Sequence, residues 1–269
     1  MAVMNRSELQ KTAQAYEDLL VPALFADWAD HVAESAAVQR GDRVLDVACG
    51  TGVLSRAVVA YAGETGSVTG VDPNPGMLSI ARTLEPEVNW TEGTAESLPF
   101  DSNLFDVVLS QFGLMLFESP VAGLKEMYRV LKPEGSLRVV VFNSLQHLPA
   151  YDAIVDIYER TVGPSVAEAL RVPFSMGDPD DLVTLFEQAG IHGAVVSTGT
   201  VVARFRNMRQ MVLSDVKGWF PFANIHLDDQ TINSIVERAE HELDRFIQPE
   251  GGVRFDVSAH MVRAAKEVT

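Results

Sequence analysis

The sequence predicts an α/β protein built on a mostly parallel sheet with helices on both faces. Strand-like and helical stretches alternate from Arg43 to Asn143, the rhythm of doubly wound folds. The stretch "VLDVACGTG", Val44 to Gly52, opens this run. Its apolar positions Val44, Leu45, Val47 and Ala48 fit a strand covered on both faces, as parallel strands are. Gly50 and Gly52 end it, and Val53, Leu54, Ala57 and Val58 start a helix at once. A strand, glycine turn and helix together make a nucleotide site, because the helix N-terminus brings free N–H groups and partial positive charge to the turn.

The other elements follow in order. From Ser7 to Val38 apolar residues recur at helical spacing, with Pro22 expected to break the run into two helices. After the glycine turn come "SVTGVD" (67–72) as a strand, a helix from Gly76 to Thr83, and strands at "VNWTEG" (88–93) and "FDVVLSQF" (105–112). A helix near Val121 to Val130, the turn "LKPEG" and the strand "SLRVVVFN" (136–143) complete the regular part. Beyond Asn143, residues 145–171 look helical, "GDPDDLVTLFEQAGI" (177–191) is a helix closed by Gly190, and 194–205 is strand-like. Helical patterns return over Met208–Lys217 and Asp228–Phe246, and "VRFDVSAHMVRAA" opens as a strand. We read one domain over 1–269: N-terminal helices (1–40), a cofactor-binding core (41–143), and helical lid insertions (144–176 and 207–250) that cover the sheet ends and choose the substrate.

Bulk properties narrow the partners. The formal charge of −16 and a pI near 4.7 oppose binding to nucleic-acid phosphates or anionic lipids. The start "MAVMNRSELQ" lacks a signal-peptide pattern, and no uncharged apolar run approaches the roughly 20 residues a spanning helix needs. A cytoplasmic protein, monomer or homodimer, is the expectation. Cys49 is the single cysteine, so no disulfide and no cysteine-cluster metal site is expected. The six histidines include no pair four residues apart, which also speaks against a metal.

Asp72 ends the second strand beside the first, where a carboxylate can accept both ribose hydroxyls. Dinucleotide sites carry such an acid too, so the first turn must decide. A third glycine of G-x-G-x-x-G would fall on Ser55, and Asp46 occupies a strand position that is usually apolar in those sites. An acid there repels pyrophosphate but can help hold an ammonium group. The pattern therefore favours an amino acid joined to a nucleoside.

"VLDVACGTG", "GVDPNPGML", "GTAESLPF" and "FDVVLSQFGLMLFESPVAGLKEMYRVLKPEG" resemble the successive motifs of class I S-adenosylmethionine-dependent methyltransferases. The small-molecule branch with the ubiquinone and menaquinone C-methyltransferases is the most similar. The resemblance covers about residues 40–143 and implies a Rossmann-like, seven-stranded sheet with an antiparallel last strand near 252–258. It places Ala48, Gly50 and Gly52 against the methionine part of the cofactor, Asp46 near its ammonium and Asp72 on its ribose. Pro73, Asn74 and Met77 would lie along the adenine. Thr94 and Ala95 match the adenine-edge motif, where many relatives have Asp-Ala, and Ser110, Gln111 and Phe112 should lie next to the methyl donor.

Methyl transfer from a sulfonium to a small acceptor is an in-line displacement that needs no metal, only alignment and exclusion of water. Aromatic faces favour the sulfonium, and Tyr16, Phe25, Trp28 and Phe112 are candidates. His147 and Tyr151, four residues apart after the fifth strand, are the candidate catalytic residues if the acceptor must lose a proton. The sequence leaves a nicotinamide-dependent oxidoreductase and a non-catalytic cofactor-binding protein as alternatives. Open space beside Gln111 and Phe112 is expected of an enzyme, and a filled space of a binding module.

Overall fold

The computed structural model describes residues 4–267. Helix α1 (Arg6–Leu19) starts at a capping box: Asn5 Oδ1 accepts from the N–H groups of Ser7 and Glu8, and the Glu8 carboxylate accepts from the Asn5 N–H. Pro22 lies between two helices, as expected. A π-helical turn (Val21–Phe25) carries the chain directly into α2 (Ala26–Ser35). Pro22 sits in the first turn of that segment, where its missing N–H is tolerated. α2 buries Trp28, Ala29, Val32 and Ala33.

The sheet contains β1 (Arg43–Val47), β2 (Ser67–Asp72), β3 (Asn89–Glu92), β4 (Phe105–Gln111), β5 (Leu131–Phe142), β6 (Val195–Phe205) and β7 (Val253–Ala265). Its order is β3-β2-β1-β4-β5-β7-β6. Neighbours from β3 through β5 run parallel, and β7 is antiparallel to both β5 and β6. Helices α3 (Val53–Ala62), α4 (Pro75–Leu84) and α5 (Pro120–Val130) make the crossovers. The chain first winds outward from β1 to β3 and then returns to β4 on the other side of β1. This reversal places the ligand crevice at the carboxyl ends of β1 and β4.

Two sequence expectations shift. β7 is not confined to 252–258 but runs to Ala265, with inward and outward residues alternating almost throughout. Pairing along both edges holds its alanine-rich end extended. "LKPEG" is not a free turn before β5: Leu131 already pairs with Phe105, and the next paired positions are Val107 and Ser136. Residues 132–135 bulge out, with Glu134 left-handed (φ 66°). Lys266 closes this corner, its ammonium donating to the carbonyls of Tyr128, Arg129 and Leu131 at the end of α5.

After β5 the chain forms α6 (Pro149–Thr161), α7 (Pro164–Arg171) and α8 (Pro179–Gln188), then β6. Gly163 (φ 125°) and Pro164 divide the helical stretch expected over 145–171. α9 (Met208–Gly218) packs on α1, and α10 (Asp229–Glu242) packs on α6 and α9. Among the described residues, no helix is long and apolar enough to cross a membrane.

Candidate active site

The glycine turn is shaped by left-handed backbone. Ala48, Gly50 and Gly52 have φ of 56°, 57° and 84°. Glycine is required at position 52, where an added Cβ would lie 2.3 Å from the Trp90 ring. At Gly50 an added Cβ would meet nothing within 4 Å, so that face of the turn opens outward. Across the crevice Phe112 is also left-handed, at φ 55°. Such strain in a bulky residue marks a site where surrounding structure fixes the backbone. The tips of β1 and β4 converge behind it: a Cβ on Gly113 would fall 2.7 Å from Ala48 Cβ and 2.8 Å from Ser110 Oγ.

Two acids sit under the turn. Asp46 is buried, and its Oδ2 accepts from Ser55 Oγ at 2.7 Å. Burial pushes its carboxyl up to about 7, against the lowering effect of Ser55. Ser55, the position of the missing third glycine, therefore serves the acid. Asp72 accepts from the Gly50 N–H at 2.9 Å and from the Asn74 N–H at 2.8 Å, and burial raises it to about 6. The first of these bonds ties the end of β2 to the glycine turn. Asn74 itself caps α4, its Oδ1 accepting from Gly76 and Met77.

Met77 packs with Ala13, Ile80, Tyr16 and Phe222 in a small cluster apart from the main core. Pro73 and Thr94 are exposed, and Ala95 is buried beside α5. The Arg129–Glu126 pair holds the loop carrying Thr94 and Ala95: Glu126 accepts from the Leu98 N–H, and Arg129 donates to the Leu98 and Phe100 carbonyls.

The rings gather over this crevice. Tyr16 stacks on Phe25 at 5.2 Å, and Phe25 lies 5.6 Å from Phe112. Burial and the carboxylates of Glu17, Asp72 and Asp46 push the Tyr16 phenol far above its usual range. Trp28 meets Phe112 edge-on at 6.1 Å. Phe142, at the end of β5, stacks on Phe112 at 3.9 Å. Phe25 and Phe142 thus fill the space beside Phe112, the arrangement expected of a binding module. Gln111 Nε2 donates to the Phe25 carbonyl at 3.2 Å.

The structure separates His147 from Tyr151. His147 is exposed on a 3₁₀ turn with Nδ1 3.0 Å from Ser144 Oγ, whereas Tyr151 is buried between Phe174 (4.9 Å) and Phe255 (5.5 Å). Burial and Asp215 hold the Tyr151 phenol well above its ordinary range. Sequence reasoning missed Phe142 and the Glu17–Arg56 pair. Phe142 looked like one more apolar strand residue, and only the sheet register puts it at the crevice.

The site has the features a sulfonium nucleoside needs. Ser110 Oγ, Gln111 Oε1 and Thr51 Oγ1 are buried without a protein hydrogen-bond partner, and unpaired buried polar atoms call for a ligand or water. Asp46 and Asp72 suit a cationic ligand with ribose hydroxyls. The matching stretch of the chain is long: residues 7–172 correspond to the ubiE/COQ5 methyltransferase family. The chain belongs to that family. The demethylmenaquinone methyltransferase of Staphylococcus epidermidis is 34% identical over 193 residues, 65% of this chain and 79% of the relative. The ubiquinone/menaquinone biosynthesis C-methyltransferase of Shewanella pealeana is 36% identical over 183 residues, 61% and 71% of the two chains. The fold is shared with the Bacillus YcgJ protein (TM-score 0.58, 17% identity, 90% of this chain and all of that one). It is shared also with a phosphoethanolamine N-methyltransferase of Haemonchus contortus, solved with S-adenosylhomocysteine (TM-score 0.60, 15% identity, 99% and 61%). This methyltransferase uses S-adenosylmethionine. Family membership, not the packing beside Phe112, decides in favour of an enzyme.

Proposed function

We propose that this methyltransferase acts on a flat aromatic acceptor that lies against Phe112, by direct in-line displacement. The observation that carries this reading is a continuous series of ring contacts. It runs from Tyr16 through Phe25, Phe112, Phe142 and Phe174 to Tyr151, from the cofactor turn into the lid. An aromatic acceptor replaces one ring of this series with little loss of stacking. The relatives named above as quinone-pathway C-methyltransferases fit such an acceptor.

Bound S-adenosylmethionine supplies a methyl group on a positive sulfur. The chain's own residues then have separable tasks. Asp72 holds the ribose, Met77 and Ala95 border the adenine, and Ala48, Gly50, Gly52 and Asp46 take the methionine part. Ser110, Gln111 and Phe112 border the donor. Phe25 rides on the π-helical turn, a backbone form common at functional sites, and its displacement admits the acceptor. The lid segments 144–176 and 207–250 exclude water and select the acceptor, with buried Tyr151 forming part of its wall. His147, at the lid's edge, serves an acceptor that must shed a proton.

The test is calorimetric titration with S-adenosylmethionine and with NADH, then incubation with hydroxylated naphthalenes and catechols while S-adenosylhomocysteine is quantified. Product formed only with the aromatic compounds supports the reading. Tight cofactor binding with no product from them, but turnover of aliphatic amines or thiols, refutes the aromatic acceptor.

A further inference from the structure

Asp215, on α9, is buried inside the lid at 3% exposure. Among the described residues its carboxylate takes a hydrogen bond from Tyr158 of α6 alone, and no cation pairs with it. That single bond is weak: the Tyr158 hydroxyl lies 3.2 Å from Asp215 Oδ2 and 3.4 Å from the competing Val212 carbonyl. Tyr151 stands two helical turns before Tyr158, on the same face of α6. It is also 3% exposed, and its hydroxyl bonds to nothing among the described residues, yet its phenol feels the Asp215 charge as well as its own burial. One carboxylate therefore faces two phenols and is held by only one of them. Burying an acid and a hydroxyl so incompletely paired is costly, and apolar side chains of similar size would pack a lid without that cost.

We propose that Asp215 and Tyr151 form the far end of the acceptor site and bind a hydroxyl that the acceptor carries away from its methylated position. The hydroxyl donates to Asp215 Oδ1 and accepts from the Tyr151 phenol. Tyr158 is the positioning residue, because its bond to Oδ2 turns the other oxygen toward the acceptor. Three ring contacts lead from Phe112, through Phe142 and Phe174, to Tyr151. The carboxylate thus stands apart from the methyl donor and reads a substituent, not the reacting atom. A hydroxyl is donor and acceptor at once and satisfies both incompletely paired groups, which an ether or a bare ring edge does not. Asp215 lies beyond residue 172, where the match to the family ends, so the acid belongs to this chain's own lid and not to the shared cofactor fold. The proposal rests on the aromatic-acceptor reading above and narrows it to acceptors with a hydroxyl at the end opposite the methylated one.

The experiment measures kcat/KM of the full chain with saturating S-adenosylmethionine for 2-naphthol and 2,6-dihydroxynaphthalene, which differ by one hydroxyl on the far ring. The assay runs at pH 8, where an acid raised to about 7 is ionised. Wild type should favour the dihydroxy compound at least about tenfold. Tyr151→Phe and Asp215→Asn should each bring that preference below about threefold, through KM more than kcat, and Tyr158→Phe should lower it by a smaller factor. Calorimetry with S-adenosylmethionine shows which variants are folded. Tyr151→Phe removes a hydroxyl that holds nothing in the free protein, so it decides alone if Asp215→Asn does not fold. A preference unchanged in Tyr151→Phe, or in folded Asp215→Asn, assigns these residues to lid packing and overturns the proposal, as does a wild type indifferent to the second hydroxyl. Wild-type protein that binds S-adenosylmethionine but methylates neither naphthol overturns this proposal, and if catechols fail as well the aromatic-acceptor reading falls with it.

Discussion

Asp46→Asn is the most informative single substitution, because it removes a charge and keeps the shape. Asp46 is 1% exposed, and Ser55 Oγ can still donate to the amide oxygen. Burial lifts the carboxyl from 3.8 to about 7. At about 1.36 kcal/mol per unit, a shift from 3.8 to about 7 makes the ionised form cost the folded ligand-free protein on the order of 4 kcal/mol. The sign follows from proton counting. With its pKa raised on folding, the native carboxyl holds its proton while the unfolded one has lost it. This contribution is complete below pH 4 and is lost as pH rises through 7. Asparagine has no proton to lose, so the variant should gain on wild type between pH 4 and 7. It should end up to about 4 kcal/mol more stable at pH 8. Urea unfolding of both proteins at pH 4.5, 6 and 8 measures this. A pH-independent difference, or a variant less stable at pH 8, would refute the reasoning. In the same samples S-adenosylmethionine should bind the variant more weakly, because the buried charge that destabilises the empty site is one that a cationic ligand compensates.

Asp72→Ala should weaken cofactor binding by about 1.5–3 kcal/mol, the range for hydrogen bonds to a charged group. Calorimetry checks it, and unchanged affinity in a folded variant removes Asp72 from the site. Gly52→Ala adds a Cβ at φ 84°, 2.3 Å from Trp90, and should cost about 2–4 kcal/mol in denaturant unfolding through strain and overpacking. Tyr158→Phe removes the hydroxyl that donates to Asp215 Oδ2 at 3.2 Å. Burial already raises Asp215 to about 7, so the loss should be about 1–3 kcal/mol at pH 8 and smaller at pH 5, where the acid is protonated. Equal losses at both pH values would show that Asp215 does not change protonation state between them and refute the expectation.

Elements with strong local signals were legible in the sequence. β1, β2, β4 and the helices between them follow from runs of apolar residues, glycine breaks and capping residues, all of which act within a few positions of the chain. The four motifs of 40–143 then locate the turn and the acid at residue 72. Asp46 was readable as an acid out of place, since a carboxylate within an apolar strand has few uses. Trp90 was read only as a strand residue, although its ring makes glycine necessary at position 52. Pro22 marked the junction of α1 and α2, but the π-helical form of that junction has no local sequence signal.

What the sequence determined by itself is the α/β alternation, the cofactor turn and the excess of negative charge, each carried by residue type and local spacing. Tertiary structure alone decided that β7 lies between β5 and β6 and stays extended to Ala265. It also decided that Phe142 reaches Phe112, that Tyr151 is buried while His147 is exposed, and that Arg56 pins Glu17 to the turn. Glu17 and Arg56 are 39 residues apart and Phe112 and Phe142 are 30 apart, by their numbers in the chain. No periodicity of 2 or 3.6 residues relates positions so distant. They meet only when the sheet register and the packing of α1 on α4 and α9 are set, because contacts of that range are fixed by the shared core and not by the chain between them.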